Sequence, residues 1–238
     1  MKQAKGITGT ALKWIALLTM IVDHVAYTAE PVLNETAYLV MRGIGRLAFP
    51  LFTFCIVEGF LHTKSLPKYA LRLGIFAVLS EVPFDMMVKQ SWVYFGHNNV
   101  LWTFLILLAV LFGLDRIRKR FAGVPEILLS LLTVAAGAGL ACVTNTDYSW
   151  CGVVLGSVFF LFRDKKWLML GLAALTLACE SIENWIELVA LASLGLILCY
   201  DGRKSLIERE LPRYFFYVMY PLHLLMLGLY GILLRSGI

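Results

Sequence analysis

Apolar residues run along this chain in nine stretches, near 11–29, 38–61, 68–88, 98–114, 126–144, 148–162, 166–181, 184–200 and 213–234, parted by short polar segments. A hydrocarbon core takes about 20 residues of helix per crossing. The lengths therefore predict an all-α fold, a polytopic helical bundle of about nine transmembrane helices, with the sixth and seventh short. Residues 1–238 form a single membrane domain. Pro50 is expected to kink the second span, because proline removes a backbone donor from the helical ladder.

Composition sharpens this picture: 60% of the residues are hydrophobic, 16% charged, and the mean hydropathy is +0.78, which excludes an ordinary soluble domain. Of the 21 Lys and Arg residues, 15 fall in the N-terminal lead and in the second, fourth, sixth and eighth connections. The positive-inside rule then predicts a cytoplasmic N-terminus. The net charge of +5 follows from that topology and predicts no nucleic-acid partner, since there is no basic face with interleaved aromatics. No small-residue cleavage pattern follows the first span, so removal as a signal peptide is not expected. No internal repeat is visible. The five cysteines are scattered, without metal-ligand spacing, and read as packing residues rather than as a metal site.

The chemistry lies in charges that fall within spans, where each costs a few kcal/mol and is by default paired or functional. The first span carries Lys13, Asp23 and His24; the second Arg42, Arg46 and Glu58; the third Arg72, Glu81 and Asp85. Asn99 opens the fourth, Asp147 and Tyr148 open the sixth, and Tyr217, Tyr220 and His223 share a face of the last. Lys13 and His24 are eleven residues apart, three turns, hence on one face and separated by about 16 Å. Arg46 with Asp23, and Arg72 with Glu58, are expected ion pairs. His24 suits proton transfer near neutral pH. Asp23 points about 100° away from it and is as well placed to hold Arg46.

Lys13, ten residues and then His24 is similar to the basic-x10-His signature that opens the acyltransferase-three family of membrane acyltransferases. The blocks LKWIALLTMIVDH, GRLAFPLFTFCIVEGF, YALRLGIFAVLSEVPFD, NNVLWTFLI, TDYSWCGVVLG and YFFYVMYPLHLLML, in that order, resemble the TraX family over nearly the whole chain. The resemblance implies an N-acetyltransferase-like activity in a bacterial cytoplasmic (inner) membrane, with acetyl-CoA as the acyl donor. The acceptor would be an amine, a glycan or a pilin-like protein. It further implies that His24 is a general base or is transiently acylated, that Arg46 stabilises an oxyanion or positions Asp23, and that Lys13, Arg72, Arg203 and Lys204 meet the phosphates of CoA. Glu58, Glu81, Asn99, Asp147, Tyr148, Tyr217, Tyr220 and His223 would line the substrate tunnel. The first basic residue is Lys13 where the wider family carries arginine, which keeps the charge and gives up bidentate phosphate recognition.

Two other classes remain open. A proton-coupled transporter would also hold intramembrane charges, but two related halves are not visible. A non-catalytic component of a conjugation or secretion assembly would need neither a cationic donor rim nor a buried His24.

Overall fold

The computed structural model describes residues 6–182, 184–203 and 214–236, and among these the regular elements are helices. They are α1 Gly9–Thr28, α2 Glu35–Gly45, α3 Ala48–His62, α4 Leu66–Lys89, α5 Val100–Arg120, α6 Val124–Val143, α7 Ser149–Leu161, α8 Lys166–Glu180, α9 Ala192–Leu198 and α10 Phe215–Ser236, with a 3-10 segment, Trp185–Leu191, running into α9. Each of the nine apolar stretches corresponds to a helix or to one interrupted helix. Five of them, α1, α2 with α3, α5, α6 and α10, are long and apolar enough to cross a bilayer. The protein is a membrane protein. α4 is long enough at 24 residues but carries Arg72, Glu81 and Asp85 in its body.

Local chemistry explains the element ends. The Thr8 hydroxyl and the Asn34 and Asn99 side chains accept from the first free N–H groups of α1, α2 and α5. Arg118, Lys119 and Arg120 close α5, where the helix dipole favours cations. The second span breaks at Arg46–Leu47, one turn before Pro50. Pro50 has no N–H for the Arg46 carbonyl, and the Leu47 N–H turns instead to Ile44, 3.3 Å away, so the chain steps through a tighter turn with its direction largely kept.

The core lies where α1, α3, α5 and α7 pack together, with Leu12, Leu17, Leu51, Leu107, Leu111 and Leu155 fully enclosed. α10 lies along α4 in the most extensive helix pairing of the bundle. α6 is peripheral: Ser130, Gly137 and Ala141 face inward while Leu128, Leu131, Leu132 and Val143 face out, as a lipid-facing helix requires.

Two backbone seams tie the loops together, one at each end. At the basic end, Ile7 pairs with Tyr200: its N–H donates to the Cys199 carbonyl at 2.8 Å, and the Asp201 N–H returns to the Ile7 carbonyl at 3.1 Å. This seam brings Arg203 to the start of α1. At the opposite end Asn98 pairs with Thr146, with the Asn98 N–H on the Asn145 carbonyl at 2.9 Å and the Asp147 N–H on the Asn98 carbonyl at 2.8 Å.

Candidate functional site

Two neighbouring cavities lie among the described residues of the bundle. The larger, about 400 Å³, is lined by Lys13, Glu58, His62, Arg72, Arg203 and Tyr217, all toward the basic ends of their elements, and otherwise mostly by apolar residues. The Tyr200 hydroxyl donates to Glu58 at 2.7 Å. The Arg203 guanidinium is 2.5 Å from Asp201 and holds that carboxyl below its ordinary range. Arg72 lies over the Tyr69 ring, 5.9 Å from its centroid, and its buried Nε has no hydrogen-bond partner. The expected Arg72–Glu58 ion pair does not form among the described residues. Tyr200, which reaches Glu58 from the segment after α9, supplies the carboxylate's partner instead. Lys204 lies outside the described residues.

The smaller chamber, about 50 Å³, holds His24, Asp23, Asp147 and Tyr148 in its wall. Met20, Phe52, Val100, Phe104 and Tyr220 line both spaces and form the septum between them. Tyr148 sits at φ 54°, an unusual conformation for a bulky residue, and its ring lies parallel on Phe49 with centroids 3.7 Å apart. Strain of this kind is retained when the surroundings over-determine it and clusters at functional sites.

His24 Nδ1 lies 2.7 Å from His223 Nε2, and His223 Nδ1 lies 2.7 Å from the Met219 carbonyl. The two rings are parallel to within 4° with centroids 5.0 Å apart. That separation is the N···N distance plus two ring radii, so the imidazoles lie edge to edge in one plane rather than face to face. Among the assembled residues this pair joins the first span to the last.

Asp23 is occupied elsewhere. Arg42 Nη1 donates to it at 2.6 Å and Arg46 Nη2 at 2.5 Å, while Arg46 Nη1 reaches Glu187 at 2.6 Å and Arg46 Nε reaches the Arg42 carbonyl at 3.3 Å. The two acids and two arginines balance in charge. Gly45 makes the network geometrically feasible, since a Cβ there would collide with the Asp23 side chain. Arg46 lines neither cavity, and each of its nitrogens is engaged within the protein. The geometry therefore gives it the Asp23-holding role, with no donor aimed into the chamber where an oxyanion would form.

Of the other anticipated tunnel residues, Tyr217 and Glu58 line the large cavity, Asp147 and Tyr148 the small one, and Tyr220 both. Glu81 and Asn99 line neither. Glu81 accepts from the Asn99 side chain at 2.7 Å and from the Trp102 indole at 2.5 Å, and Asn99 spends its amide on the Ala77 carbonyl and its oxygen on the α5 N-terminus. They anchor α4 to α5. His223 stands behind His24 rather than in a cavity wall.

These features are the setting for what the chain resembles. Its sequence matches the TraX protein family over residues 8–231, a range that holds every described residue of both cavity walls and of the histidine pair. The chain belongs to the TraX family. It is also similar to the probable fimbrial assembly protein FimC, serogroup H1, of Dichelobacter nodosus, with 28% identity over 239 residues covering 91% of this chain and 92% of the relative. No solved structure matches it.

For this TraX-family chain, two residues of the site escape the sequence reading. Glu187 is an acid inside the eighth apolar stretch, so the same test of charges within spans was able to find it. His97, in the loop before α5, places Nε2 3.6 Å from Asp147 and lies against Phe84. The Asp147 carboxylate raises its pKa above the ordinary value for histidine, against a smaller opposing effect of burial. Only the loop pairing reveals it.

Proposed function

We propose that this chain is an integral membrane acyltransferase that carries a short acyl group, acetyl in the simplest case, from an acyl-CoA donor at the basic end to an amine or hydroxyl acceptor at the other. The observation that carries this reading is that a long cavity with a cationic mouth and a small histidine-bearing chamber adjoin across a thin septum. Lys13, Arg72 and Arg203 suit the phosphates of CoA through charge-assisted hydrogen bonds. The apolar depth beyond them suits the pantetheine arm, which would bring the thioester to the septum.

His24 would then act as general base. As the acceptor nitrogen or oxygen bonds to the thioester carbonyl carbon, its proton passes to the imidazole; as the C–S bond breaks, that proton returns to the departing thiolate. Arg42 and Arg46 would keep Asp23 from competing for the histidine. The relative's name, a fimbrial assembly protein, together with the TraX family, supports a pilin-like polypeptide as acceptor and a bacterial inner membrane as the location, with the basic end cytoplasmic.

A second reading draws on that same name: a membrane component of fimbrial assembly without catalysis. Turnover of radiolabelled acetyl-CoA by protein in nanodiscs, measured for wild type and His24→Gln, separates the two. The acyltransferase reading expects turnover to fall by about a hundredfold or more in the variant while CoA binding persists. Absence of both CoA binding and turnover in the wild type would sink it in favour of the assembly component.

A further inference from the structure

We infer that His223 is a positioning residue that holds His24 in the tautomer with the proton on Nδ1, leaving Nε2 as the bare nitrogen that serves the chamber. The inference rests on the reading of His24 as base only for its consequence; its premises are geometric.

The Met219 carbonyl can only accept, so the 2.7 Å contact to His223 Nδ1 assigns a proton to that nitrogen. A neutral imidazole has one N–H. His223 Nε2 is then a lone-pair acceptor, and the 2.7 Å contact to His24 needs a donor, which must be His24 Nδ1–H. The chain of bonds runs from His24 Nδ1–H to His223 Nε2 and from His223 Nδ1–H to the carbonyl. His24 Nε2 is what remains.

The alternative direction, with His223 donating from Nε2, would make His223 a cation protonated on both nitrogens. Its surroundings do not favour that. Asp23 is turned to Arg42 and Arg46, and Asp147 faces His97. Tyr148, in the chamber wall with His24, and Tyr220, whose ring centroid lies 5.7 Å from that of His223, are phenols and supply no negative charge near neutral pH. No carboxylate is hydrogen-bonded to either ring among the described residues. The neutral pair is therefore the assignment that satisfies the three nitrogens in contact and leaves His24 Nε2 bare.

Two consequences follow for the reaction. Free imidazole derivatives favour the proton on the other nitrogen, which would fill the position that must accept the acceptor's proton; His223 removes that competition. When His24 Nε2 takes the proton, the imidazolium formed is bonded through Nδ1–H to a neutral acceptor, which stabilises the charge without a buried carboxylate. The 2.7 Å N···N contact within a 5.0 Å centroid separation puts the ring centres and the two nitrogens nearly in line, the linear alignment such a bond favours.

Selective ¹⁵N-histidine NMR of the full chain in nanodiscs tests this directly. Wild type should show His24 as the neutral Nδ1–H tautomer, and His223→Phe should move it to the Nε2–H form. Acetyl-CoA turnover should fall about a hundredfold in kcat for His223→Phe with KM little changed, and His223→Gln, whose amide oxygen can still accept from Nδ1–H, should recover part of both signals. A wild-type His24 protonated on Nε2, or a tautomer indifferent to His223→Phe, would overturn the inference. A tautomer that switches as described in protein lacking any turnover would support the positioning role while removing the acyltransferase reading, so the two failures are distinct.

Discussion

In the half of the bundle away from the basic loops, Asp23 and Glu187 are each met by an arginine within 2.6 Å, and Arg46 divides its donors among two acids and a carbonyl. In the basic half, Arg72 leaves a buried Nε unsatisfied beside a cavity of about 400 Å³, and Lys13 and Arg203 line the same space. The contrast separates two uses of intramembrane charge. A carboxylate clamped by two guanidiniums has little capacity left for a ligand and holds helices in register. Arg72, held by the Tyr69 ring and the Tyr217 side chain, keeps one donor, its buried Nε, unmatched beside that space.

The comparison is broken most severely by removing the hub of the clamped half. Arg46→Ala leaves Asp23 short of one partner and Glu187 without its arginine in a low-dielectric interior, a situation that costs about 3–5 kcal/mol. Arg72→Ala should cost less, about 1–2 kcal/mol in the same assay, because it loses a hydrogen bond to Tyr217 and the Tyr69 ring contact but no ion pair. Thermal unfolding of the two variants in one detergent checks both; equal losses would erase the distinction between the halves. Next in size is Gly45→Ala. The added methyl meets Asp23, so α1 and α2 must separate, and overpacking of this kind costs about 1–3 kcal/mol.

The basic half is tested by affinity rather than stability. Arg72→Ala should weaken CoA binding about tenfold, or about 1.4 kcal/mol, with CoA titrated by calorimetry against protein in nanodiscs. A variant that binds CoA as well as wild type would show that the unsatisfied Nε serves something else.

The same division governs what was legible in the sequence. Nine helical stretches were readable from hydropathy because apolar runs mark them, five being long enough to cross a bilayer, and Lys13 and His24 were readable as one face because helical periodicity is local. The Asp23–Arg46 pair followed from depth alone. Depth failed for Arg72 and Glu58, since Tyr200, brought in by the seam at Ile7, reached the carboxylate instead. The break at Arg46–Leu47 fell a turn from where Pro50 suggested, because the missing N–H acts on the carbonyl four residues earlier. The His24–His223 bond spans 199 positions and depends on how α10 lies in the bundle, which no local pattern encodes.

The smallest expected effect sits at the outer rim of the small chamber, where His97 faces Asp147 at 3.6 Å with both side chains about one-third exposed. The carboxylate raises the His97 pKa in the folded protein above its ordinary value near 6.5. A raised folded value means that protonated His97 stabilises the fold: the contribution is fully present below the ordinary value and is lost as pH rises through the folded one. Because the pair is open to water, its worth is below about 1 kcal/mol. Wild type should therefore lose a small increment of thermal stability as pH is raised from about 6 to about 8, and His97→Gln should flatten that slope. The Asn98–Thr146 seam beside it does not titrate, so a slope that survives in His97→Gln would mean that another group near the chamber carries the pH dependence.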